Sequence, residues 1–173
     1  MNIFYLHRKR RKCAKYHGNK HVIKMILETA QLLCTAVWVC DPDHVLQDEK
    51  NKIFTYRGTR IYRKTHQNHP CAIWARENKK HFRWLRKFGL RLCDEYTYRY
   101  GKVHKTREIL EKLRTPTSLP EGVFHDPPQC MPDEYKVPND SVQAYRNYYK
   151  AEKRNMHYWK GKIAWRDAPK WIE

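Results

Sequence analysis

Acidic residues, glycine and long apolar runs are all scarce in this chain. Asp and Glu together number 18 among 173 residues, against 36 Lys and Arg, which leaves a formal net charge of +18. Only six residues are glycine. No stretch approaches 18 consecutive apolar residues, so no transmembrane helix is expected. The N-terminus runs apolar first, Met1 to Leu6, and basic second, Arg8 to Lys12, the reverse of a secretory signal. No CxxC pair occurs: Cys13, Cys34, Cys40, Cys71, Cys93 and Cys130 are scattered. That scatter argues against a disulfide framework or a cysteine zinc site. It points to free thiols in a reducing compartment, the cytoplasm or nucleus of a host cell, or a virion.

The surplus is cationic and aromatic. A domain this basic repels itself unless an anionic partner neutralises it, and nucleic acid is the expected partner, DNA first and RNA as the alternative. Six Trp and twelve Tyr are many for this length, and several adjoin cations, as in Arg83-Trp84 and Tyr145-Arg146. Rings stack on exposed bases while neighbouring cations hold phosphates. The candidate contact residues are Arg8, Lys9, Arg10, Arg11, Lys12, Arg83, Trp84, Lys102, Lys105 and Arg146. The plainer alternative is that half or more of the rings are core residues. No membrane association is expected, and the chain is read as a monomer.

Patterning predicts a mainly α, compact single-domain helical bundle over residues 1–173, with a short N-terminal strand and a small hairpin. Residues 2–7 read as a buried strand. A short helix or turn follows around Cys13 to His17, with a break at Gly18-Asn19. Val22, Ile23, Ile26, Leu27, Ala30, Leu33 and Val37 recur at helical spacing, predicting a helix over 20–39 capped by Asn19. Residues 41–68 read as an irregular, mobile insertion, with a hairpin at Ile53–Tyr56 and Arg60–Arg63. His69-Pro70 opens a second long helical region that runs to Tyr100 and stops at Gly101. A third helix is expected over 104–113. Six prolines punctuate the connection 114–139. Asp140 and Gln143 begin the last helix, 140–160, against which Trp165 and Trp171 are expected to pack.

The helix over 20–39 is apolar around most of its circumference but carries one polar stripe: His21, Lys24, Glu28, Gln31 and Thr35. On a mostly buried helix such a stripe is either a solvent face or the wall of a pocket. If it is a wall, Glu28 is a candidate acid or base. A carboxylate can stabilise positive charge developing on a sugar, and an amine from Lys24, Lys20 or Met1 can capture C1′ as a Schiff base. Glu95, Tyr98 and Arg99 form a second polar cluster, read either as a pocket wall or as a helix end held by an ion pair. His17 and His21 have H-x3-H spacing, but the Gly18-Asn19 break weakens their geometry as metal ligands, and no third ligand has motif-like spacing. No metal and no cofactor is expected.

The segments His21–Leu33, Asn68–Trp74, Glu95–Lys102 and Met131–Lys136 resemble a little-characterised family of phage and large-DNA-virus proteins. The order Tyr5-Leu6-His7, Glu28, His69-Pro70 resembles the pyrimidine-dimer DNA glycosylases (endonuclease V-like). That resemblance implies an all-helical fold, cleavage of the N-glycosidic bond at damaged pyrimidines, and strand scission. It also implies an α-amine nucleophile on a small residue exposed by Met removal. This chain departs on two counts: Asn2 is too large for efficient Met removal, and Leu27 replaces the cation that precedes the family's glutamate. The combined expectation is a DNA-repair-type N-glycosylase, with AP-lyase activity as its extension. In it, Glu28, Lys24 and Met1 are catalytic, and His21, Gln31, His69, Glu95, Tyr98 and Arg99 shape the pocket. The competing classes are a non-catalytic nucleic-acid-binding virion or packaging protein, and a metal-dependent nuclease built on His17 and His21.

Overall fold

Two 22-residue helices form the centre of the computed structural model, which describes residues 1–172. α1 spans Arg10–Tyr16, α2 spans Asn19–Cys40, α3 spans Pro70–Ala75 and α4 spans Lys79–Tyr100. α5 spans Arg107–Lys112 and α6 spans Ser141–Glu152. α2 is long and apolar enough to cross a membrane, but most of it is buried inside the fold, and it packs chiefly on α4 and α3. Val22, Met25, Ile26, Ala30, Leu33 and Val37 meet Phe82, Leu85, Phe88 and Leu92 in one continuous core. The architecture is mainly α, as the patterning predicted.

Gly89 lets the two central helices approach. A Cβ there would lie 2.8 Å from Thr29 Cγ2 and 3.0 Å from a Leu110 methyl. Gly89→Val is therefore expected to destabilise the fold by about 2–3 kcal/mol through overpacking. The check is a lowered urea midpoint with an unchanged slope.

The N-terminal residues do not form the expected strand. Ile3, Phe4, Tyr5 and Leu6 are buried, but this arm pairs with no strand among the described residues. Its carbonyls are satisfied by side chains instead: Arg146 Nε donates to Leu6 O at 3.0 Å, and the Cys13 thiol donates to Phe4 O at 3.3 Å. A short apolar run signals burial, and pairing also needs a sheet edge alongside the run.

The insertion after α2 is folded. β1 (Val45–Asp48), β2 (Ile53–Tyr56) and β3 (Thr59–Ile61) form an antiparallel meander, with Val45 opposite Tyr56 and Phe54 opposite Ile61. Arg57 and Gly58 both have positive φ, as the tight turn between β2 and β3 demands. The buried Tyr56 hydroxyl donates to Asp41 Oδ2 at 2.7 Å and ties the meander to the end of α2.

The second long helical region is two helices. The chain breaks at Arg76–Asn78, and the Asn78 side chain caps α4 by accepting from His81 N at 3.0 Å. Gly101 ends α4 at φ 67°, as expected. The Pro-rich connection holds only a short 3₁₀ turn at Asp133–Tyr135. It is fixed by contacts such as Trp74 Nε1 to His125 O and Ser141 Oγ to Pro127 O. α6 ends at Glu152, eight residues short of the predicted 160. In the tail, Trp171 packs edge-on against Tyr16 and Tyr149, whereas Trp165 stays exposed beneath Lys160.

Candidate active site at the N-terminus

Burial of the arm places Met1 beside α2. The Asn2 side chain donates to Cys130 O at 2.7 Å, so the arm is held at its first residues as well. The Met1 amine then lies 3.9 Å from Glu28 Oε2, while Lys24 Nζ lies 3.6 Å from Glu28 Oε1. Glu28 is half-buried, Lys24 is exposed, and two amines flank one carboxylate. They line a cavity of about 200 Å³ between the arm, α2 and α6. Asn2, Phe4, His21, Met25, Tyr148, Lys153 and Met156 complete its wall, and Glu28 is the single carboxylate among them. The Phe4 ring stacks on Tyr148 with an interplanar angle of 9°, and Lys153 Nζ sits 4.9 Å from the Tyr148 centroid.

His21 is 2% exposed and its Nδ1 lies 3.2 Å from the Tyr149 hydroxyl. That hydroxyl also accepts from Gly18 N at 2.9 Å. Behind it, His17 pairs through Nδ1 with Cys13 O at 2.8 Å, and its buried Nε2 has no partner among the described residues. Burial drives both imidazoles toward neutrality: His17 is pushed down to about 4, and His21 falls well below the usual histidine range.

A pH dependence follows. Each imidazole binds a proton near pH 6.5 when unfolded but only at lower pH when folded. Their contribution is therefore present above pH 6.5 and is lost as pH falls toward 4. His17 alone accounts for about 3 kcal/mol over that window. Urea titrations at pH 7 and pH 5 should show the loss, and His17→Phe should reduce it, leaving the His21 share.

The remaining predicted pocket residues lie elsewhere. Gln31 is half-buried and does not line the cavity; Thr35, a turn further on, bonds Thr65. His69 caps α3, its Nδ1 accepting from Cys71 N at 3.1 Å. Its pKa is lowered by burial first and then by the nearby Met1 amine, so it stands beside the site without forming its wall. Glu95 and Tyr98 face a different depression with Arg11, Lys15 and Arg166. Arg99 is wholly buried and binds Glu95, Asn19 Oδ1 and the carbonyls of Lys15 and His17. These residues are a structural hub joining α4 to the α1–α2 junction.

Among the predicted nucleic-acid contacts, Arg8, Lys9, Arg11, Lys12, Arg83, Lys102 and Lys105 are exposed. Trp84 is not: at 7% exposure its ring packs on Tyr5, Trp74, Phe88 and Phe124, so it cannot stack on a base. Arg10 is half-buried, and Arg146 is engaged with Leu6 O and with the Trp171 ring at 5.3 Å. Sequence reasoning missed Phe4, Tyr148, Lys153 and Met156. Their chain distance from Glu28 left no local signal, beyond the aromatic density of α6.

The fold is helical and strongly basic, and its cavity sets a primary amine against a half-buried carboxylate. The chain is a member of the pyrimidine dimer DNA glycosylase family, whose sequence profile matches residues 1–109. No curated protein and no solved structure matches it. The matched segment contains Met1, His21, Lys24 and Glu28, while the wall supplied by α6 and its flank lies beyond it.

Proposed function

We propose that this protein excises damaged pyrimidines from duplex DNA and nicks the resulting site. The observation that carries this reading is the convergence of the Met1 amine, Lys24 and Glu28 on one small cavity. Nucleotide flipping would deliver C1′ to this cavity, with the exposed cations holding the flanking phosphates. The free amine attacks C1′ and forms a C–N bond. The C1′–N1 bond breaks, and its electrons leave with the base, which takes up a proton. Glu28 stabilises the cationic sugar as this happens. The attached nitrogen then gives up its proton, and its lone pair opens the C1′–O4′ bond, O4′ taking up a proton, which gives the imine. The imine acidifies C2′–H; loss of that proton expels the 3′ phosphate by β-elimination, and water releases the enzyme.

Of the two amines, the α-amine is the better positioned: it sits on the fixed arm, whereas Lys24 is a flexible exposed side chain.

The test is incubation with ultraviolet-irradiated and abasic duplexes under borohydride, with the adduct mapped by mass spectrometry. An adduct on the Met1 peptide is expected. An adduct on Lys24 reassigns the nucleophile. Absence of both cleavage and adduct, with salt-sensitive binding retained, supports the non-catalytic alternative. Extending the chain by one residue ahead of Met1 should lower trapping by at least about tenfold, because it moves the amine out of reach of a near-attack geometry.

A further inference from the structure

We propose that His69, Cys71 and Cys130 form a binding site for a borderline-soft divalent cation, Zn²⁺ by preference, which clamps the Pro-rich connection to the start of α3. The two sulfurs are 3.6 Å apart although 59 residues separate them in the chain. A ring nitrogen of His69 lies with them, and all three ligand atoms fall within 4.8 Å of one another. A tetrahedral Zn²⁺ with thiolate bonds of about 2.3 Å holds its sulfurs about 3.8 Å apart, so the observed pair needs almost no movement.

The donor set is two sulfurs and one imidazole, the chemistry that zinc selects over magnesium or calcium. Cys71 is wholly buried, while His69 and Cys130 are half-exposed and leave a way in. The backbone around the site is already fixed. Cys130 N points to the Tyr145 hydroxyl, which donates to Pro128 O at 2.7 Å, and Cys130 O accepts from Asn2. Cation binding displaces the protons of both thiols. Ligation through His69 takes its imidazole from the Cys71 amide, a single cap bond given up for a metal–ligand bond.

The second cluster of this kind, Glu77, His81 and His125, is poorer. Both His81 nitrogens are in use, Nδ1 at Trp74 O and Nε2 as acceptor from His125 N. The proposed site is independent of the glycosylase reading, because its readout is spectroscopic.

The experiment is anaerobic titration of the reduced, metal-free full chain with Co²⁺. A thiolate-to-cobalt charge-transfer band, saturating at one equivalent and displaced by Zn²⁺, is expected, with a rise in the thermal midpoint. Cys130→Ser should remove most of the band, His69→Ala should weaken binding at least tenfold, and Cys40→Ser should leave it unchanged. Circular dichroism confirms that each variant is folded; should Cys130→Ser fail to fold, His69→Ala carries the test. Absence of the band, or a band of full intensity in both variants, overturns the proposal.

Discussion

Glu28→Gln is expected to lower base excision by about 10²–10⁴-fold, the range for loss of a positioned acid–base or charge-stabilising group. Glutamine has nearly the same shape, so the cavity keeps its walls. What disappears is the negative charge, and among the described residues Glu28 is the only carboxylate lining that cavity. A cationic sugar forming there would face the Met1 amine, Lys24 and Lys153 with nothing to offset them. Stability should change by no more than about 1 kcal/mol, because both ion pairs are longer than 3.5 Å and the Lys24 partner is exposed. Duplex binding should persist, since the exposed cations are untouched, and it should tighten slightly as one negative charge is removed. Single-turnover excision measured beside binding separates the two effects. Excision that survives the substitution at the wild-type rate removes Glu28 from the mechanism.

The reading of α2 shows how far a sequence can carry such an argument. Three of the five polar stripe residues, His21, Lys24 and Glu28, line the cavity because a polar side chain on an otherwise apolar helix needs water or a pocket. The stripe could not say where the pocket ends. Thr35 is buried under residues 62–65, where Thr65 N donates to its hydroxyl at 3.1 Å. That is a tertiary contact with no signature in the helix itself.

The second polar cluster fared differently. Glu95 and Arg99 are visible as an i, i+4 pair, but the partners that decide their role, His17 and Asn19, are more than 75 residues away in the chain. The same holds for Trp84: an Arg-Trp step reads alike on a surface and at the edge of a core. Cysteine spacing hid the Cys71–Cys130 pair for the same reason, since local motifs report local loops and this pair is made by the fold. Helix positions were clearer because they rest on local propensity and caps. The α3–α4 break escaped because Asn78, a good cap, sits inside an uninterrupted helical pattern.

Arg99→Met should cost about 3–5 kcal/mol of stability, the range for removing one partner of a buried charged network. Its guanidinium is fully buried and makes four hydrogen bonds of 2.9–3.0 Å. Two of them satisfy the carbonyls of Lys15 and His17, which close α1, and one fixes Asn19 at the first turn of α2. Methionine fills the space but leaves those acceptors buried without donors, each a loss of about 1–3 kcal/mol. Glu95 is cushioned, because Arg166 still reaches it at 2.8 and 3.2 Å. This limits the total and makes Arg166→Met the milder change. At about 2–4 °C per kcal/mol for a chain of this size, the thermal midpoint should fall by roughly 10 °C.

Arg99→Lys should recover only part of the loss, since one ammonium cannot span four acceptors spread around a planar fork. The same variant separates a structural hub from a pocket residue. If Arg99 acts by holding the α1–α2 junction, the Met variant assayed well below its midpoint should form the borohydride-trapped adduct at close to the wild-type rate. Glu28→Gln should fail at every temperature. A folded Arg99→Met protein that does not trap would place Arg99 in the reaction itself.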